Sequence, residues 1–123
     1  MLNASSAAMD AINSIALEII MHAGDARLCI SEAVKAAAEG NFPATNEKLE
    51  EAKKKLAIAH GLQTDIVQSE GEGTKHDHTL LFIHAQDTLM TIYSEMNMVR
   101  QLKSVFRRYE ERITELERRI FHG

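Results

Sequence analysis

The stretch AQDTLMTIYSEMNMVRQLKSVFRRYEERITELERRI, residues 85–120, sets Ala85, Leu89, Ile92, Met96, Val99, Leu102, Phe106, Tyr109, Ile113, Leu116 and Ile120 three or four residues apart without a break. A strand would need its apolar residues at every second position. Spacings of three and four put them on one side of a helix, as the seam of a coiled-coil-like packing. No proline or glycine interrupts the run. It reads as one helix over about residues 76–120.

Two similar segments precede it. Residues 43–68 carry Leu49, Ala52, Leu56, Ala59, Gln63 and Ile66 at the same spacing, and residues 8–38 carry Ile12, Ile15, Ile19, Ala26, Ile30, Ala33 and Ala37. Between them stands Glu39-Gly40-Asn41-Phe42-Pro43. Gly40 can take the left-handed conformation that ends a helix, Asn41 can cap the next one, and Pro43 is tolerated in its first turn. Ser69-Glu70-Gly71-Glu72-Gly73-Thr74 reads as a flexible connection before the third segment. The expected architecture is all-α: an antiparallel up-down-up three-helix bundle, a single domain over residues 1–123. A chain with one proline, no tryptophan and only six aromatic residues fits that class.

The apolar surface exceeds what one such bundle covers. The third segment is apolar on a second side through Leu81, Phe82, Ile83, Met90, Tyr93 and Met98, and Ile19, Ile20 and Met21 run consecutively in the first. Helices apolar on more than one side call for further burial, so a homo-oligomer is expected.

Charge narrows the partners. The net charge of −4 argues against nucleic acid. Residues 100–119 hold seven bases against four acids. Arg107 with Glu111 and Glu115 with Arg119 are spaced as ion pairs on a solvated helix face. A lone cysteine, Cys29, excludes an internal disulfide framework and fits a reducing cytosol as a small core residue. Met1 to Ala8 lacks the pattern of a signal peptide, and no run approaches the roughly twenty apolar residues of a membrane span. A cytoplasmic protein is expected.

Chemistry has one main candidate location, Leu80 to Thr91. There His84 and Asp87, three residues apart, share a helical face within an apolar stretch, with Thr88 one turn beyond His84. Polar groups so placed are paired, bound to metal, or used. The pattern alone does not choose among these.

The run His84-Ala85-Gln86-Asp87-Thr88-Leu89-Met90-Thr91 resembles the hallmark segment of the lactose/cellobiose IIA family of the bacterial sugar phosphotransferase system. In that family the segment usually reads histidine-alanine-glutamine-aspartate-histidine-leucine-methionine-threonine. Other marks follow in order. Ala23-Gly24-Asp25-Ala26-Arg27 resembles the first-helix motif, and Glu39-Gly40-Asn41-Phe42 resembles the turn. Glu51-Ala52, Ala59-His60 and Gln63-Thr64 resemble the second helix. The resemblance covers about residues 12–100.

It implies a nine-helix homotrimer in which His84 accepts a phosphoryl group from the carrier protein HPr, as a tele-phosphohistidine. The group then passes to a cysteine of the IIB component, and the membrane IIC component imports the sugar. Gln86 and Thr88 would support the phosphoryl group. Asp87 would meet its symmetry mates on the trimer axis and hold a divalent metal, with magnesium suited to an all-oxygen site. An imidazole that titrates near neutrality suits the carrier role, because it can attack phosphorus and then leave.

Thr88 departs from the family pattern. A hydroxyl can hydrogen-bond a phosphoryl oxygen but cannot carry charge. Among the other polar residues, His60 and Gln63 share a face and are expected to make an interior hydrogen bond. His22 has no assigned role. His76 and His78 are expected to face solvent, where with Asp77 they could form an adventitious metal site. Met90, Met96 and Met98 read as packing. The competing reading is a non-catalytic helical interaction module. A catalytic metal bundle lacks the glutamate and Glu-x-x-His ligands it would need.

Overall fold

The computed structural model describes residues 4–76 and 78–122. Its elements are α1 (Ala4–Ala38), α2 (Phe42–Gly71) and α3 (Leu80–His122), with no strand among the described residues. No helix is long and apolar enough to cross a membrane.

Local chemistry sets the boundaries. Gly40 takes φ 74°. The Gly40 and Asn41 N–H groups donate to the Ala37 and Ala36 carbonyls at 3.0 and 2.9 Å, closing α1. The Asn41 side chain accepts from the Ala44 N–H at 3.1 Å and caps α2, with proline at its start. α2 runs on through Ser69 and Glu70, which had read as loop. The Ser69 hydroxyl donates to the Ile66 carbonyl, and the helix turns out only at Gly73, φ 101°. α3 begins at Leu80 rather than near 76, because buried Thr79 caps it: its Oγ1 accepts from the Phe82 N–H at 3.1 Å.

The three-residue turn makes α1 and α2 antiparallel, and α3 then lies parallel to α1. Cross-links record both registers. Lys48 reaches Glu32 at 2.9 Å between α1 and α2. Arg27 forms a two-pronged pair with Glu95 at 2.8 and 3.0 Å between α1 and α3. The Tyr93 hydroxyl donates to the Leu56 carbonyl at 3.4 Å between α2 and α3. These contacts are half-exposed and fix alignment more than stability, at about 0.2–1 kcal/mol for an ion pair of this kind.

The core carries the stability. Ile12, Ile19, Ala26, Ile30 and Ala33 of α1 join Leu49, Ala52, Leu56, Ala59 and Ile66 of α2, with Ala16, Ala23 and Cys29 added. Ile15 and Ala37 reach only its edge. From α3 it takes Phe82, Ala85, Leu89, Ile92 and Met96. There the expected seam stops. Val99 is half-buried, and Leu102, Phe106, Tyr109, Ile113, Leu116 and Ile120 are exposed. The cause is length: α3 has 43 residues against 35 and 30 for its neighbours, so its last third outruns them.

Two further apolar stripes face outward from the protomer. One is Leu17, Met21 and Leu28 on α1; the other is Leu80, Ile83, Met90 and Met98 on α3.

Candidate functional site

Thr79 starts α3 and thereby fixes the side to which each residue of the hallmark segment points. At 100° per residue, Phe82, Ala85 and Leu89 turn into the core. Asp87 then falls on the opposite side, exposed, in line with Ile83 and Met90. His84 and Thr88 share the flank that also carries Glu95, toward α1. Gln86 lies about 200° from His84, on the flank toward α2. His84, Asp87 and Thr88 are thus grouped on one surface, and Gln86 is separated from them within the chain.

His84 is exposed, and among the described residues its imidazole makes no hydrogen bond or ion pair. Both ring nitrogens are open to an incoming group. The Thr88 hydroxyl donates to the His84 main-chain carbonyl at 2.8 Å. Its one proton is therefore committed to the helix backbone. The family's histidine at this position would have no such habit, because the backbone bond is a property of short hydroxyl side chains.

Asp87 likewise has no partner among the described residues. No group of three His, Cys, Asp or Glu that could hold a metal occurs among them. One chain offers a hard cation a single carboxylate at this point.

The other polar candidates resolve differently. His60 is exposed, not interior: its Nδ1 lies 3.4 Å from the Thr64 hydroxyl, and its ring meets Tyr93 edge-on at 6.0 Å. With Gln63, Thr64, Val67 and Gln68 it borders a hollow of about 270 Å³. His76 is half-buried rather than solvent-facing, because its Nε2 pairs with the Ser69 hydroxyl. His78 is exposed and lies 3.3 Å from Glu70. Asp77, the third member of the adventitious metal site, lies outside the described residues. Cys29 is a buried core residue, and burial first, then Glu51, pushes its thiol pKa up. Sequence reading missed Thr79, although a threonine just before an apolar run is a capping signal.

The fold is a small all-helical bundle with the exposed imidazole of His84 near the start of α3, and comparison with known proteins gives its family. The signature of the family "PTS system, Lactose/Cellobiose specific IIA subunit" matches residues 14–107. The lichenan-specific phosphotransferase enzyme IIA component of Bacillus subtilis is 36% identical over 104 residues, covering 85% of this chain and 91% of that one. A lactose-specific EIIA component of Lacticaseibacillus casei is 33% identical, covering 85% and 94%. Among solved structures, PtcA from S. mutans superposes with a TM-score of 0.77 at 33% identity, covering 79% and 95%. The IIA(Chitobiose) of an Escherichia coli IIA–HPr complex gives 0.70 at 25% identity, covering 80% and 96%.

The chain belongs to the lactose/cellobiose-specific IIA family of the phosphotransferase system. It is a phosphoryl-carrying component of that system rather than a stand-alone enzyme.

Proposed function

We propose that His84 is the residue on which this chain carries the phosphoryl group, received from HPr and passed to a cysteine of the IIB component. The observation that carries this reading is the open imidazole of His84, exposed within the hallmark segment one turn after the Thr79 cap. In the first step an imidazole nitrogen attacks phosphorus as the donor's bond to it breaks. In the second the IIB thiolate attacks, and the imidazole leaves with its electron pair. Such transfer depends on positioning and charge compensation more than on covalent machinery. A rigid helix supplies the positioning, and the solved IIA–HPr complex of a relative supports the donor.

Asp87 and the outward stripes support a homotrimer. Ile83 and Met90 flank Asp87 on the side of α3 that the protomer leaves open. Three copies brought together there would bury those side chains and converge three carboxylates. Asp87 from each chain would then hold one hard divalent cation, magnesium by its preference for oxygen, which offsets their mutual repulsion. Gln86 and Thr88 would support the phosphoryl group differently: Thr88 from the same chain, by turning its hydroxyl from the His84 carbonyl to a phosphoryl oxygen, and Gln86 across a contact between copies, since it lies on the far flank of its own helix. Exchange with HPr and IIB would take place in the cytoplasm.

Incubation with phosphoenolpyruvate, enzyme I and HPr, followed by intact mass measurement, tests the assignment. One acid-labile phosphoryl group per chain is expected, lost in His84→Ala. Labelling that persists in that variant, or that maps to His60 or His78, refutes it.

A further inference from the structure

Gln63 breaks the apolar seam of α2 between Ala59 and Ile66. It is half-buried, and among the described residues its amide makes no hydrogen bond. Two donors and an acceptor are left for water or for another molecule.

The cross-links between α2 and α3 fix its level. The Tyr93 hydroxyl reaches the Leu56 carbonyl, and Lys103 reaches Asn46. In an antiparallel pair a rise along one helix is a fall along the other, and the residue numbers of both cross-links add to the same total. Gln63 and Gln86 add to that total too, so they stand level. They also share a side. Gln86 lies two turns before Tyr93 on α3, and Gln63 lies one turn after His60, whose ring meets Tyr93 at 6.0 Å. The two amides border one groove between α2 and α3, about 3 Å along the helix from the level of His84. The hollow of about 270 Å³ that Gln63 shares with His60 and Thr64 opens from it.

This groove is on the wrong flank of α3 for the chain's own His84, which points toward α1. It suits a neighbour's. Copies turned about one axis meet head to tail. With Asp87 on the axis, the α1 flank of one copy faces the α2 flank of the next at equal height, and each His84 looks into the next copy's groove.

We propose that Gln63 is a phosphoryl-binding residue acting between chains: its amide N–H groups donate to oxygens of the phosphoryl group on a neighbouring copy's His84. This rests on the carrier and trimer readings above. The chemistry suits a carrier. Arg27, on the His84 flank, is held by Glu95 at 2.8 and 3.0 Å, so it is committed elsewhere. Neutral amide donors steady the oxygens less strongly than a charged donor would, and a group bound too tightly before transfer would be slow to pass on.

Gln63→Glu keeps the shape and sets a negative charge where the donors were. Transfer from HPr, followed by rapid quench, should slow about a hundredfold in that variant and about tenfold in Gln63→Ala. Sedimentation should show both assembled as wild type. Co-expression shows which chain supplies the amide. Trimers mixed from equal amounts of Gln63→Glu and His84→Ala chains place an intact Gln63 beside about half of the intact His84 side chains, and that half should regain the wild-type rate. The same mixing with Gln63→Ala serves if Gln63→Glu fails to assemble. Wild-type rates in both Gln63 variants overturn the proposal. So does a defect that mixing leaves unchanged, since the amide then acts within its own chain or only on the fold. Labelling that persists in His84→Ala, or a wild-type monomer in sedimentation, overturns the underlying reading as well, which tells the two failures apart.

Discussion

Thr88 shows how one side chain can be settled by its own backbone. Its hydroxyl is bonded to the His84 carbonyl at 2.8 Å, a contact available to any threonine four residues beyond a carbonyl in a helix. Thr88→Val keeps the shape and removes that bond. Phosphoryl transfer from HPr to the Thr88→Val protein should therefore stay within about threefold of wild type, measured by rapid quench, because less than 1 kcal/mol of transition-state support is at stake. Thr88→His would add a group able to bear charge, and a modest gain in rate is expected. A hundredfold gain would mark the native chain as a degenerate carrier. The chemistry of residue 88 was legible in the sequence as a departure from the family. The direction of its proton was not, since that depends on a rotamer.

The helices divide more sharply between what the sequence states and what only the fold can show. Spacing of three and four identified all three elements, and Gly40 and Asn41 marked the first turn correctly because each acts locally, Gly40 through its own φ and Asn41 through a side chain that reaches only to the Ala44 N–H. The seam of α3 looked unbroken from Ala85 to Ile120, yet burial ends near Met96. Periodicity records which side of a helix is apolar, and nothing in it says how far the neighbouring helices extend. The two halves of one seam should thus respond differently to truncation. Leu89→Ala, at a fully buried position, should cost about 2–5 kcal/mol in denaturant unfolding. Leu116→Ala, more than half exposed, should change stability by less than about 0.5 kcal/mol. Equal costs at the two sites would mean that the end of α3 is covered in solution.

Assembly belongs to the whole molecule. The stripes Leu17–Met21–Leu28 and Ile83–Met90 are exposed on the protomer, where assembly would bury them. If three Asp87 carboxylates share a cation, chelator should raise the protein concentration at which the trimer is half dissociated in sedimentation by about tenfold or more, since unshielded like charges cost several kcal/mol. Asp87→Asn removes both the ligand and the repulsion, so the variant trimer should ignore chelator. A wild-type monomer at micromolar concentration with magnesium present would contradict the trimer. His60 belongs to this scale too. The sequence suggested an interior residue, but the protomer leaves it at the surface beside a shallow hollow, where only a neighbouring molecule could enclose it.

The overhang of α3 has a kinetic signature. Beyond Glu110 each amide is held only by its own helix, so releasing it requires local unwinding of α3 and no disruption of the core. Hydrogen–deuterium exchange at Thr114–Phe121 should run at least about a hundredfold faster than at Leu89–Met96, whose amides open only when the bundle does. The same contrast opens the end of α3 to proteases, with the arginines Arg112, Arg118 and Arg119 offering trypsin sites beyond the segment bearing His84.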